Sequence, residues 1–223
     1  MSEPDLYSDH FSMIFVIICM YFSYFFYFVD KKQHSISRRP LIAVIGEAGV
    51  KPADPAYDQA LALGKLLVDA GYRVCNGGLS GVMEAVFRGA RDSASYREGD
   101  TVAIIPGLDC QRANPYADIV IATGLGHLRN GIVAAAEAIV VVGGKAGTLS
   151  EIALAWRYNR LIVALSASGG MAEKYAGKPI DNRNHRSHPA LRTVADAKTP
   201  TDAVEYINQN LAECFLPHND LAE

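Results

Sequence analysis

The chain has few cysteines and no excess of basic residues. Its four cysteines are scattered without a CxxC pair, so we predict reduced thiols, with neither a disulfide framework nor a zinc site. The formal net charge of -3 and the lack of a basic stripe argue against nucleic acid as a partner and favour a small-molecule ligand. The sequence has no internal repeat. Its 223 residues, of which 50% are hydrophobic, are enough for one globular domain.

Charged residues are also absent from residues 11–29, a hydrophobic run rich in Phe and Tyr. A helix of this length would measure roughly 28 Å against a bilayer core of about 30 Å. The acidic residues before the run fit a cleaved signal peptide poorly, and the basic residues after it keep the globular domain in the cytoplasm by the positive-inside rule. We therefore predict an N-terminal segment, residues 1–39, whose transmembrane helix at 11–29 anchors the domain to the inner face of the membrane. The alternative is upstream sequence translated from a wrongly chosen start codon.

Short apolar runs alternate with amphipathic segments from Pro40 onward. This alternation predicts a single α/β domain with a Rossmann-like, doubly wound parallel sheet over residues 40–213, followed by a tail at 214–223. The predicted strands are at residues 41–45, 73–76, 102–105, 119–122, 139–142 and 161–165. The predicted helices are at residues 56–70, 81–91, 125–136, 148–158 and 201–211. Residues 166–189, rich in Gly, Asn and His, are predicted to form an irregular loop.

Two glycine-rich turns each connect a predicted strand to a predicted helix: NGGLSGVM at residues 76–83 and VVGGKAGTLSE at residues 141–151. Glycine lets backbone N–H groups approach a ligand closely, and the helix that follows presents its positive end. Neither turn is a P-loop, and no G-x-G-x-x-G follows the first strand. Because ligands of open α/β sheets bind beyond the carboxyl ends of the strands, we expect both turns to face one phosphorylated ligand. The alternative is that they are tight turns that serve only packing.

The two turns resemble the hallmark motifs of the LOG family, whose members were formerly described as lysine decarboxylases. The family motifs GG-x-x-G-x-M and PGG-x-GT-x-x-E are matched by Gly77, Gly78, Gly81 and Met83, and by Gly143, Gly144, Gly147, Thr148 and Glu151. The resemblance covers about residues 41–165. The LRN and GTLSEIALAW segments are most similar to the branch that includes molybdenum-cofactor carrier proteins. The resemblance also implies a homodimer, because related families pair through helices beside the active site.

The resemblance implies roles for individual residues as well. In the phosphoribohydrolase branch, an arginine and the motif glutamate cleave the base from a nucleoside 5′-monophosphate, and Arg129 and Glu151 match these two positions. A carboxylate can stabilise the positive charge that builds on the ribose, and a guanidinium can hold phosphate or the departing base. The residues predicted to bind the phosphorylated ligand are Gly77, Gly78, Gly81, Asn130, Gly143, Gly144, Gly147 and Thr148.

Three departures from the hydrolase pattern leave the function open between two classes. Val142 stands where the hydrolases have proline, Asn130 replaces a lysine, and the interval from Arg129 to Gly147 is one residue shorter. The first class is a hydrolase that releases the base from a nucleoside 5′-monophosphate. The second is a non-catalytic carrier or binding protein for a nucleotide or a molybdopterin-type cofactor.

Several of these residues also have structural alternatives. Thr148 and Glu151 could form a capping box at the start of a helix. His127 is predicted to be a loop residue rather than a catalytic base, and His185 and His188 are assigned to a solvated loop rather than a metal site. Trp156 is expected to pack in the core or at a subunit contact. We predict no metal site and no additional cofactor.

Overall fold

The computed structural model describes residues 38–182 and 188–214. Within this part of the chain, seven parallel strands form one sheet in the order β4-β3-β2-β1-β5-β6-β7. The strands are β1 (Leu41–Gly46), β2 (Arg73–Asn76), β3 (Thr101–Ile105), β4 (Ile119–Ala122), β5 (Ala138–Val142), β6 (Leu161–Leu165) and β7 (Ala195–Ala197). The prediction of a Rossmann-like α/β fold with a parallel sheet is confirmed.

Helices connect the strands in the alternating pattern that parallel pairing requires. The α-helices are α1 (Pro55–Asp69), α2 (Val82–Arg91), α3 (Asn130–Val133), α4 (Ala146–Arg157), α5 (Gly170–Tyr175) and α6 (Pro200–Cys214). Short 3-10 helices occupy Cys110–Arg112, Gly126–Arg129, Ser166–Ser168 and Pro189–Leu191.

The strands contribute alternate residues to two hydrophobic cores, one on each face of the sheet. Ile42 and Val44 of β1 belong to the core that includes Leu63 of α1, whereas Ile45 belongs to the core that includes Trp156 of α4. The interior strand β5, next to the central strand β1, is fully buried along its length. A strand covered by helices on both faces must be apolar on both sides, which explains its continuous AIVVV run.

Two glycines allow α1 and α2 to pack with their backbones in contact. A Cβ atom at Gly89 would lie 1.8 Å from the carbonyl oxygen of Leu61, and a Cβ atom at Gly64 would lie 2.0 Å from that of Val86. Real Cβ atoms do not approach backbone oxygens so closely, so any larger residue would separate the helices. This contact fixes α2, and with it the glycine-rich turn that precedes α2.

The structure corrects three details of the predicted elements. The prediction missed β7, because a three-residue strand with the sequence Ala-Asp-Ala carries too little hydrophobic pattern to detect. Helix α5 lies within the predicted irregular loop. The predicted helix at 125–136 is instead the 3-10 turn Gly126–Arg129 followed by α3, which is only four residues long. The positive φ angle of Gly126 lies outside the α-helical region, so an α-helix does not begin at residue 125.

The predicted transmembrane helix at residues 11–29 lies outside the described residues. Among the residues that are described, no helix combines the length and apolar character needed to cross a bilayer. The domain boundaries at residues 39/40 and 213/214 stay predictions.

Candidate functional site

A cleft opens at the carboxyl ends of the strands, where β1 lies between β2 and β5. Successive strands are added on one side of β1 up to β4 and then on the other side from β5, so this is the switch point at which open α/β sheets bind ligands. The cleft has a volume of about 390 Å³ and is lined by the loop after β1, the turn after β2 and the start of α4. This volume suits a small molecule.

The cleft brings together residues that lie far apart in the sequence. Its lining includes the predicted site residues Gly77, Arg129, Asn130, Gly147, Thr148 and Glu151. The other predicted glycines lie outside the lining and shape the two turns behind it: Gly78, Gly81, Gly143 and Gly144.

The turn between β5 and α4 is held from behind by the segment that follows β6. Gly143 and Gly144 have φ angles of 59° and 99°, and a Cβ atom at Gly144 would lie 2.6 Å from the side chain of Thr148. The Gly143 N–H donates to Ser168 Oγ at 2.6 Å, and its carbonyl accepts from the Ala172 N–H at 3.0 Å. These two glycines therefore shape the turn, and the Gly143 N–H is already occupied.

The first turn of α4 forms one wall of the cleft. The helix begins at Ala146, and Lys145 at the N-cap position makes no capping side-chain hydrogen bond. Thr148 lies inside the helix, so the capping-box alternative is wrong. The first N–H groups of an α-helix have no partner within the helix, and its positive end attracts anions. Because Gly147 and Thr148 line the cleft, this end of α4 is suited to binding a phosphate.

Two asparagines fix the turn between β2 and α2. The buried Asn76 accepts from the Gly78 N–H at 2.8 Å and donates to the Met83 carbonyl at 3.0 Å. Asn114 donates from its side chain to the Leu79 carbonyl at 3.0 Å. The turn is thus held by hydrogen bonds to the fold. Sequence reasoning missed both asparagines, although an Asn directly before Gly-Gly is a turn signal.

A buried ion pair lies in the cleft. Arg129 Nη1 donates to Glu151 Oε1 at 2.8 Å, and the two residues are 9% and 6% exposed. The Arg129 Nε is buried without a hydrogen-bond partner among the described residues. A Cβ atom at Gly77 would lie 2.3 Å from Arg129 Nη2, so only glycine leaves room for the guanidinium there. The pair joins the two residues that the resemblance singled out for catalysis.

Asn130 connects this pair to the first turn of α4. Its Oδ1 accepts from Arg129 Nη1 at 2.7 Å, and its Nδ2 donates to Ser150 Oγ at 2.8 Å. Ser150 in turn donates to the Gly147 carbonyl at 2.7 Å. The Asn130 amide thus orients Arg129 relative to the helix end.

Burial controls the protonation of Glu151. Desolvation raises the pKa of Glu151 from its ordinary value of 4.5 to about 7, although Arg129 opposes the shift through its charge and its hydrogen bond. Glu151 is therefore poised to exchange a proton near neutral pH. Since the folded pKa lies above the ordinary value, the contribution of Glu151 to stability is fully present below pH 4.5 and is lost as the pH rises through 7.

A second ion pair, which the sequence did not reveal, lies at the cleft. Lys145 Nζ contacts Glu47 Oε1 at 2.5 Å, and both residues line the cleft. Glu47 directly follows β1. A charged residue at the carboxyl end of a central strand is a pattern from which sequence reasoning could have predicted a cleft residue.

The remaining candidates from the sequence are three histidines and Trp156. His127 is exposed and lines the cleft. Trp156 is 1% exposed and packs in the core, which agrees with the first of its two alternatives. His188 Nε2 lies 2.9 Å from Glu213 Oε2, and its Nδ1 accepts from the Ala190 N–H at 3.2 Å. His185 lies outside the described residues.

The sheet order, the two glycine-rich turns and the arginine–glutamate pair define a LOG-like Rossmann domain. More specifically, the chain belongs to the SLOG cluster4 family, whose model matches residues 39–204.

Solved structures of similar proteins cover most of the chain. TM1055, a structural-genomics target, is 30% identical with a TM-score of 0.66 over 76% of this chain and 99% of its own. The molybdenum cofactor binding protein of the phototrophic bacterium Rippkaea orientalis is 27% identical with a TM-score of 0.62, over 78% of this chain and 98% of its own. The Moco carrier protein of Chlamydomonas reinhardtii is 28% identical with a TM-score of 0.62, over 79% of this chain and 99% of its own.

The shifted pKa of Glu151 can be measured directly. In protein labelled with ¹³C at the glutamate carboxyl, the Glu151 signal should titrate with a midpoint of about 7. Arg129→Gln should raise this midpoint further, because the charge and hydrogen bond that favour the carboxylate are removed. Arg91→Gln, which breaks a 3.0 Å ion pair with Asp118 outside the cleft lining, should leave it unchanged. A midpoint near 4.5 in the unaltered protein would contradict this description of the site.

Proposed function

We propose that this protein binds a phosphorylated small molecule in the cleft, with the phosphate at the N-terminus of α4 and beside Arg129. The observation that carries the proposal is that an uncapped helix start and a buried arginine both line the cleft. Both features favour an anion that accepts several hydrogen bonds. A phosphate group meets that requirement better than a carboxylate, because it offers more acceptor oxygens.

The first candidate is a binding or carrier protein that holds a nucleotide or a molybdopterin-type cofactor without converting it. Two structurally similar proteins are named for molybdenum cofactor binding or carriage, which supports a cargo of this kind. The geometry is suited to holding a ligand. Glu151 Oε1 is engaged by Arg129, and both glycine-rich turns are held by internal hydrogen bonds. Such a rigid cleft binds a ligand with little ordering cost.

Gly147→Ala tests the position of the phosphate. A Cβ atom at Gly147 meets no atom within 4 Å, and Gly147 lies in a helix at the cleft wall, so the change should not lower thermal stability. The methyl group should nevertheless weaken the binding of a phosphorylated ligand by about tenfold or more, because it enters the space assigned to the phosphate. Titration calorimetry with a panel of nucleoside monophosphates and molybdopterin measures the effect.

Gly107→Ala is the matched control for this substitution. Its Cβ atom would also meet open space, with the nearest atom 4.0 Å away, but Gly107 does not line the cleft. Its affinity should equal that of the unaltered protein. The assigned phosphate position is refuted if no member of the panel shows saturable binding to the unaltered protein. It is also refuted if Gly147→Ala binds the ligand as tightly as the unaltered protein does.

The second candidate is hydrolysis of the N-glycosidic bond of a nucleoside 5′-monophosphate. The specific observation in its favour is the carboxyl group of Glu151, which lines the cleft and whose pKa is raised to about 7. In its ionised form it can stabilise the oxocarbenium-like ribose and orient the attacking water, while Arg129 holds the phosphate or the leaving base. The products would be the free base and ribose 5-phosphate.

Glu151→Gln separates the two candidates. A hydrolase should lose about 10²- to 10³-fold in kcat with this change, because the carboxylate charge is gone while the side-chain shape is kept. The activity of the unaltered hydrolase should fall as the pH drops below about 7, because Glu151 becomes protonated there. Chromatography of reactions with the nucleoside monophosphate panel detects the free base. If the unaltered protein releases no more free base than the Glu151→Gln variant, the hydrolase candidate is excluded and the carrier candidate remains.

Two further proposals concern assembly and location. We infer a homodimer by analogy with related families, and exposed Leu128, Ile132 and Tyr158 supply apolar surface beside the cleft residues Arg129 and Asn130. Light scattering that gives a monomer mass at micromolar concentration would refute the dimer. The membrane anchor at residues 11–29 rests on the sequence alone, and recovery of the full-length protein entirely in the soluble fraction of lysed cells would exclude it.

A further inference from the structure

The Glu47–Lys145 ion pair connects two loops on either side of the cleft. Glu47 lies in the loop after β1, and Lys145 occupies the N-cap position of α4. The Nζ to Oε1 distance is 2.5 Å, and the two side chains are 78% exposed for Lys145 and 27% exposed for Glu47. Both residues line the cleft into which Arg129 is buried. The pair therefore lies at the same cleft as the proposed phosphate position.

The position of Lys145 favours an anionic partner. The helix dipole opposes a cation near the N-terminus of a helix, so an anion beside the Lys145 ammonium group is favourable. Glu47 supplies that negative charge in the structure. A bound phosphate would supply it as well, and would also be attracted to the helix end and to Arg129.

The ion pair can open without moving the backbone. The Glu47 carbonyl accepts from the Val82 N–H at 3.0 Å, and the carbonyl of Ala48 accepts from Ser80 Oγ at 3.0 Å. The loop after β1 is thereby fixed to the turn between β2 and α2. Exposed ion pairs are weak, so rotation of the two side chains is enough to separate them.

We propose that Glu47 is an internal competitor for the phosphate, and that a bound phosphomonoester takes Lys145 away from it. This inference rests on the proposed function. The competitor is a monoanionic carboxylate, so a dianionic phosphomonoester displaces it more readily than a phosphodiester or a carboxylic acid does. The opening of the ion pair is thus coupled to the binding of a terminal phosphate group by Lys145.

The test is a double-mutant cycle in the full-length protein, with adenosine 5′-monophosphate and inorganic phosphate as probes in titration calorimetry at low salt. Glu47→Gln should tighten the binding of both probes by about fivefold or more, and Lys145→Gln should weaken it by a similar factor. In the double variant the gain from Glu47→Gln should disappear, because no lysine remains to be released. Glu47→Gln should increase the affinity for methyl phosphate more than the affinity for dimethyl phosphate.

Lys65→Gln is the matched control, because Lys65 pairs with Asp69 at 2.6 Å on α1 and does not line the cleft. Its affinity should be unchanged. Equal or weaker binding by Glu47→Gln would overturn the competitor role, and so would a gain that persists without Lys145, since that would show a through-space charge effect. If neither the unaltered protein nor Glu47→Gln binds any of these probes, this inference fails; the proposed function fails as well only if the panel of nucleoside monophosphates and molybdopterin also shows no binding. Thermal unfolding confirms that each variant is folded.

Discussion

The ion pair between Arg129 and Glu151 is the interaction around which the cleft is organised. Removing two charges from water costs several kcal/mol per ion, and their attraction offsets this cost only when the geometry and the surrounding hydrogen bonds are good. Here the guanidinium makes one direct bond to the carboxylate and one to Asn130, and its Nε is left without a partner among the described residues. A buried ion pair whose hydrogen bonds are incomplete contributes little to the stability of the fold. Because both residues also line the cleft, the pair lies where the proposed ligand would contact it.

The glycine-rich turns leave room for this pair and for the helix end beside it. Gly77 leaves the space that the guanidinium occupies, and Gly144 lets the chain pass close to Thr148 before α4 begins. The buried Asn76 holds the first turn, while Ser168 and the start of α5 hold the second. The cleft is therefore preorganised: its walls are hydrogen-bonded to the fold, and its polar groups point to one small region.

The same geometry is compatible with carriage and with hydrolysis, and the state of Glu151 distinguishes them physically. A carboxyl group with a pKa near 7 is present in both protonated and ionised forms at neutral pH. In a carrier, the protonated form would release Arg129 to bind an anion more strongly. In a hydrolase, the ionised form would be needed to stabilise positive charge on the sugar. The similarity to molybdenum cofactor binding and carrier proteins supports the first description, whereas the two-residue match to phosphoribohydrolases supports the second.

The sequence by itself was sufficient to predict the six longer strands, the parallel sheet and the two glycine-rich turns. Continuous apolar runs such as AIVVV and the Gly-rich ends of strands are local signals that do not depend on distant residues. The strand β7 and helix α5 were not predictable in this way, because Ala-Asp-Ala is not an apolar run and six residues make fewer than two helical turns. Only the tertiary structure decided that Arg129 and Glu151 form a buried pair, and that Glu47 and Lys145 meet at the same cleft. These contacts join residues 22 and 98 positions apart, and their distances depend on how the strands are ordered in the sheet rather than on any local pattern.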